Sequence, residues 1–224
     1  MIRSVRRAAA ILRALGSELV ERDPDTGKYR LGPALLQLGN AFLDNHELRA
    51  RSLLWAEALA SRAMEAVRVG VLNGTSVLVV HHVFRPDDSL QILEVGNAIP
   101  WHACALGKAV VAYLDGDRRP ALLGGPLPRL TGRTITDPEA LGRELDRVAL
   151  MGVALEDQEA IIGEAAIAAP VFDHLGQVVG AIGVGGPVER LLPDGPSDHL
   201  IVAVKEAARS LSREMGAGRV AARG

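Results

Sequence analysis

The sequence predicts an α+β fold with a mainly antiparallel sheet, and three observations carry that prediction. Six short runs rich in β-branched residues, at 67–72, 77–84, 90–95, 153–156, 165–172 and 178–184, fall into two groups of three. Two helical patterns separate the groups and a third follows, so strands and helices come in blocks, without the strict alternation that builds a parallel sheet. Asn73-Gly74 joins the first two runs, and this dipeptide is a strong hairpin signal because both residues accept a positive φ.

Taken in order, the first element is an amphipathic helix over residues 4–15. Val5, Ala8, Ile11, Leu12 and Leu15 recur at helical spacing, with Arg3, Arg6, Arg7 and Arg13 mostly on the other faces. Residues 19–22 and 28–31 flank Asp23-Pro24-Asp25-Thr26-Gly27, whose Pro and Gly supply turn dihedrals, and predict a short hairpin resembling a wing. Pro33 opens a helical stretch carrying Leu35, Leu36, Leu38, Phe42 and Leu43. A second stretch from about Glu47 carries Leu48, Trp55, Leu59 and Ala63, so residues 33–66 read as a helical linker.

After the first three strands, residues 105–114 predict a short helix on the sheet, followed by a Pro- and Gly-rich loop over 115–136. Asp137-Pro138-Glu139 starts the next helix, with Asp137 as N-cap, and Gly152 ends it. The last two strands are joined by residues 173–177, and a closing helix covers about 197–215. The boundaries expected are a head over 1–32, a linker over 33–66, the main domain over 67–215 and a flexible tail over 216–224.

A chain of 224 residues, 48% hydrophobic and 23% charged, holds one sizeable core and a small appendage. Its one cysteine, Cys104, excludes an internal disulfide framework and a four-thiolate metal site. No run of about 18 apolar residues occurs, so a cytoplasmic protein without a membrane span is expected. The net charge of -2 is unevenly spread: residues 1–30 carry seven basic side chains against four acidic ones. A basic end on a mildly acidic body fits a small module facing a polyanion, although a solvated helix face has the same composition.

Residues 100–109, Pro-Trp-His-Ala-Cys-Ala-Leu-Gly-Lys-Ala, hold the densest group of candidate side chains. A Cys near a His can form a nucleophile pair, but no third group to orient them is evident, and no catalytic residue is expected. A turn into a helix whose free N–H groups at Ala105, Leu106 and Gly107 bind an anion is the better use of the segment. His81, His82, His102, His174, Glu156, Asp157 and Glu159 lack metal-ligand spacing, and adjacent His81 and His82 point to opposite faces of a strand; no metal or cofactor is expected. Gly180-Ala181-Ile182-Gly183-Val184-Gly185-Gly186 lies within a strand and ends in Pro187, so it is no dinucleotide loop; it permits close approach of a ligand or of another backbone.

From residue 67 onward, residues 99–109, 134–137, 168–172 and 178–187 resemble the effector domain of IclR-family transcription regulators. The basic helix and the hairpin resemble that family's first head helix and wing, but the helix-turn-helix core that the family places between them is missing between Leu15 and Leu19. Residues 38–51 and 81–89 are most similar to the branch that regulates actinobacterial glycerol operons. The resemblance implies an incomplete winged helix-turn-helix head, a helical linker and a GAF-like effector domain that assembles as a homodimer or homotetramer. It implies double-stranded operator DNA as one partner, with Arg3, Arg6, Arg7, Arg13, Lys28 and Arg30 on phosphates.

The small-molecule effector implied is glycerol or glycerol 3-phosphate, bound by Ala105, Leu106, Gly107, Glu156, Asp157, Ala166, Gly183 and Gly185. Several family members that bind small acids carry Cys and Ser where this chain has Ala166, Gly183 and Gly185, which implies a more open, less polar pocket here. The expected function is ligand-responsive transcription regulation. A metabolite-binding oligomer without sequence-specific DNA affinity is the alternative that follows from taking the gap in the head literally.

Overall fold

The computed structural model describes residues 19–87 and 89–218. The helix expected over residues 4–15, with Arg3, Arg6, Arg7 and Arg13, lies outside the described residues. The chain divides into two compact units between His46 and Glu47. That division falls between the two helices read as one linker.

In the first unit, β1 (Val20–Arg22) and β2 (Tyr29–Leu31) pair antiparallel, with Glu21 opposite Arg30. The Asp23 carboxylate organises the turn by accepting from the backbone N–H of Asp25 at 3.0 Å and of Thr26 at 2.8 Å, and Gly27 closes it at φ +66°. Helix α1 (Ala34–Asp44) begins directly after Pro33, whose missing N–H is no loss at a helix start.

The second unit opens with α2 (Glu47–Ala63) and the hairpin of β3 (Ala66–Asn73) and β4 (Ser76–Val83). Gly74 has φ +60° in the tight turn that Asn73-Gly74 predicts. The third strand is not residues 90–95 but β5 (Ala98–Pro100). The apolar run 90–95 is instead part of a loop closed by side chains. The Arg85 N–H donates to Gln91 Oε1 at 2.6 Å, Gln91 Nε2 donates to the Arg85 carbonyl at 2.9 Å, and Gly96 turns the chain at φ +92° before the strand starts. Leu90 and Ile92 are consequently exposed.

A 3₁₀ turn at Trp101–Ala103 leads into α3 (Ala105–Val111). The loop expected over 115–136 contains one short helix, α4 (Arg118–Leu123). Helix α5 (Pro138–Met151) has both predicted caps: Asp137 accepts from the Ala140 N–H at 2.7 Å, and Gly152 is left-handed at φ 70°. Strands β6 (Ala154–Asp157), β7 (Glu164–Phe172) and β8 (Val178–Pro187) are followed by the one-turn α6 (Val188–Leu191) and the closing α7 (Asp198–Glu214).

The six strands form one antiparallel sheet in the order β5-β4-β3-β8-β7-β6. On one face, the 3₁₀ turn, α3 and α5 build a core from Trp101, Cys104, Leu106, Val110, Leu141 and Leu145 against Ala154, Ala166, Ala168 and Ala181. Val67, Val69, Ile167, Ile182 and Val184 point the other way and are buried where α2 and α7 pack. Gly180 is needed on that second face: a Cβ there would stand 2.4 Å from Leu48 Cδ2 and 2.6 Å from the Gly70 carbonyl oxygen.

Candidate effector-binding site

Sheet register places the candidate residues in two rows. Ala66, Gly185, Ala166 and Glu156 are paired across β3, β8, β7 and β6, and Arg68, Gly183, Ala168 and Ala154 form the next row. Directly paired residues share a face, so the face beneath α3 is floored by Ala and Gly, with an arginine toward one side and a glutamate at the other. Such small side chains leave a hollow. Ile99, Cys104, Ala105 and Leu106 roof it, and Arg68, Glu156, Ala166, Ala168, Gly183 and Val184 complete a cavity of about 20 Å³.

Ala105, Leu106, Glu156, Ala166 and Gly183 therefore come together at one cavity, while Gly107, Asp157 and Gly185 stand off its lining. Gly107 serves packing: a Cβ there would lie 2.1 Å from the Trp101 carbonyl oxygen, so only glycine lets α3 seat on the 3₁₀ turn. Asp157 turns toward a separate groove, where it pairs with Arg133. Gly185 makes room for a side chain, since a Cβ there would stand 2.0 Å from Arg68 Nη1.

The cavity's polarity comes from two groups. Glu156 is buried and its Oε1 accepts from the Ala160 N–H at 3.2 Å. Burial pushes its carboxyl up to about 7, against the opposing pull of that N–H, Lys108 and Arg68. Arg68 Nη2 donates to Glu94 Oε1 at 2.6 Å, while its buried Nε has no hydrogen-bond partner among the described residues. Beside the small residues Ala166, Gly183 and Gly185, from which a less polar pocket is expected, the space freed at Gly185 admits a guanidinium. Arg68 is hidden from sequence reasoning because an arginine between Val67 and Val69 reads as the solvent side of an alternating strand. Its usable signal was that it sits on the strand next to a glycine-rich one.

The remaining polar residues of the segment are structural. His102 Nε2 lies 3.0 Å from the Pro128 carbonyl oxygen, away from Cys104. Burial pushes the Cys104 thiol up to about 12, against the pull of the Gly107 N–H, so it is a thiol at neutral pH and no nucleophile. That contact also draws on one of the three amides expected to hold an anion. His81 and His82 face opposite sides, opposite Val69 and Arg68 respectively, and among the described residues no three His, Cys, Asp or Glu side chains converge. Lys108 is fully buried and donates to Glu159 Oε1 at 2.5 Å, tying α3 to the connection after β6. A larger open cleft of about 630 Å³ lies between the end of α5 and α7, but its charged groups are Lys205, Arg209 and Arg213, none of them buried.

A helix-roofed antiparallel sheet enclosing one carboxyl and one guanidinium, in a chain whose other unit presents a winged hairpin, defines a ligand-sensing domain attached to a smaller module. The chain belongs to the IclR family of bacterial transcription regulators: residues 40–213 match the family described as bacterial transcriptional regulator IclR, C-terminal. Over 214 residues it is 50% identical to the glycerol operon regulatory protein of Streptomyces griseus, covering 95% of this chain and 84% of that protein. It is 45% identical to the glycerol operon regulatory protein of Streptomyces coelicolor over the same shares. Among solved structures, an IclR homolog from Microbacterium hydrocarbonoxydans complexed with 4-hydroxybenzoate matches with a TM-score of 0.73 and 25% identity, over 95% of this chain and 85% of that one. The GAF-like effector fold implied by the sequence is the fold observed.

Proposed function

We propose that this regulator is a ligand-responsive DNA-binding protein controlling the catabolism of glycerol or a related carbon source, with glycerol or glycerol 3-phosphate as effector in the cavity between Arg68 and Glu156. The observation that carries this reading is the composition of the lining: one buried carboxyl and one guanidinium on walls made largely of Ile, Cys, Ala, Leu and Gly. Hydroxyl groups donate to a carboxylate and accept from a guanidinium, so a three-carbon polyol or its phosphate matches the polar ends while its carbon chain meets apolar walls. Identity of 45–50% to proteins named for glycerol operons supports the same class of effector.

A cavity of about 20 Å³ has room for roughly one water. Admitting three carbons therefore requires the walls to part, and a ligand that favours the wider state shifts the population toward it. In this account the shift alters operator affinity through the helices of residues 33–66 in a homodimer or homotetramer. Lys28 and Arg30 of the hairpin, with Arg3, Arg6, Arg7 and Arg13, are the proposed phosphate contacts. Arg30 is paired with Glu21 at 2.8 Å but keeps 68% of its side chain exposed, so a phosphate can replace that partner at little loss. Calorimetric titration of the full chain with glycerol and with glycerol 3-phosphate tests the effector. Saturable binding of either is expected, and silence from both overturns the assignment.

A further inference from the structure

We propose that Arg68 selects an effector by its anionic group, and that the bound anion takes the guanidinium away from Glu94. The inference rests on the reading of this cavity as the effector site, and goes beyond it by naming the chemical group recognised and the ion pair exchanged.

Arg68 stands on the cavity face of β3, directly paired with Gly183 of β8. Its guanidinium occupies the volume that any side chain at Gly185 would fill, with Nη1 2.0 Å from where that Cβ would be. Gly185 of β8 is therefore a berth for this side chain. A guanidinium carries five N–H donors in a planar fork. In Arg68 one nitrogen is engaged by Glu94 at 2.6 Å, while Nε is buried with no partner among the described residues. A buried donor left unmatched is unfavourable, and it is satisfied when an acceptor enters the cavity that Arg68 lines. A phosphate or carboxylate presents two oxygens that match Nε and a terminal nitrogen together.

Glu156 stands opposite, and burial pushes its carboxyl up to about 7 against the opposing pull of the Ala160 N–H, Lys108 and Arg68. A carboxyl that keeps its proton more readily than an ordinary glutamate repels an incoming anion less. Glu94 is the natural leaving partner. It lies on the loop between β4 and β5, and that loop is tied to the sheet at this point by the Arg68 pair and by the Glu94 N–H donating to His82 Nδ1 at 3.2 Å. Exchange of the ion pair loosens the segment that carries the exposed Leu90, Ile92 and Leu93.

The test is calorimetric titration of the full chain with glycerol, glycerol 3-phosphate, glycerate and inorganic phosphate. It compares the parent with Arg68→Met, Arg68→Lys, Gly185→Ala and Glu94→Gln. The parent is expected to prefer an organic anion over glycerol. Arg68→Met weakens that anion by at least about tenfold, the loss of one charge-assisted contact, and weakens glycerol, which loses only a neutral hydroxyl contact, by less. Gly185→Ala keeps the fold, because the new methyl collides only with the end of the Arg68 side chain and otherwise makes an ordinary contact with the Ala165 carbonyl oxygen, yet weakens the anion in the same direction. Arg68→Lys falls between. Glu94→Gln tightens the anion by about threefold or more by removing its competitor. Unchanged anion affinity in both Arg68→Met and Gly185→Ala, or weaker binding in Glu94→Gln, overturns the proposal. Glycerate bound with the same Arg68 dependence while glycerol and its phosphate stay silent upholds Arg68 and overturns the glycerol reading. Glycerol bound more tightly than every anion does the reverse.

Discussion

Glu156 sets the charge of the cavity, and its titration is coupled to folding. Its carboxyl is pushed from an ordinary 4.5 up to about 7 by burial, so between those values the folded protein holds a proton that the unfolded chain releases. Stability is therefore undiminished by this group below about 4.5, falls as pH rises through the window and carries the full penalty above 7. Glu156→Gln keeps an oxygen for the Ala160 N–H but has no charge to desolvate. We expect it to be more stable than the parent at pH 8 by up to about 3 kcal/mol, the gap closing as pH falls toward 4.5 in urea unfolding. A variant less stable than the parent at pH 8 contradicts a buried carboxylate. Ala105 was legible from the local turn into a helix, and Glu156 only through the family resemblance. Arg68 was not, because what turns it inward is Gly185, far along the chain, and only the β3–β8 register brings the two together.

At the scale of elements, α3 is the part that defines the cavity's roof, and two features hold it in place. Gly107 lets it sit against the 3₁₀ turn, and the buried Lys108 binds Glu159 at 2.5 Å with Glu144 at 4.0 Å. Glu159 Oε2 has no hydrogen-bond partner among the described residues, so removing the lysine leaves a buried carboxylate without its hydrogen-bonded cation. Lys108→Met is expected to cost about 3–5 kcal/mol, read as the shift in urea midpoint, with Lys108→Met/Glu159→Leu recovering most of it. A single variant as stable as the parent would show that the pair does not hold α3. Elements with local punctuation were readable from sequence. Asp137 and Gly152 bound α5, and Asn73-Gly74 makes the β3–β4 turn, because caps and tight turns depend on a few adjacent residues. The strand expected at 90–95 failed because a β-branched run forms a strand only where a neighbouring ladder accepts it. There the Gln91 amide closes a loop on Arg85 instead.

For the molecule as a whole, occupancy of one small cavity is proposed to change affinity for DNA. Family membership and the order of elements were legible in the sequence, since the effector domain's motifs and the winged hairpin stand in the expected succession. Among the described residues no helix is long and apolar enough to cross a membrane. The guanidinium in the cavity was not legible, because it depends on the volume that Gly185 leaves open. Coupling between two sites is worth about 1–3 kcal/mol in typical regulators, roughly a 5- to 150-fold change in affinity. Its most direct measurement is fluorescence anisotropy of the full chain with promoter DNA from its own genome's glycerol-catabolic operon, at physiological salt, with and without glycerol and glycerol 3-phosphate. Binding to that promoter is expected to be tighter than to a scrambled duplex, and to change by at least about fivefold when the effector is added. Equal affinity for promoter and scrambled DNA, or an isotherm that neither ligand moves, would contradict the proposal.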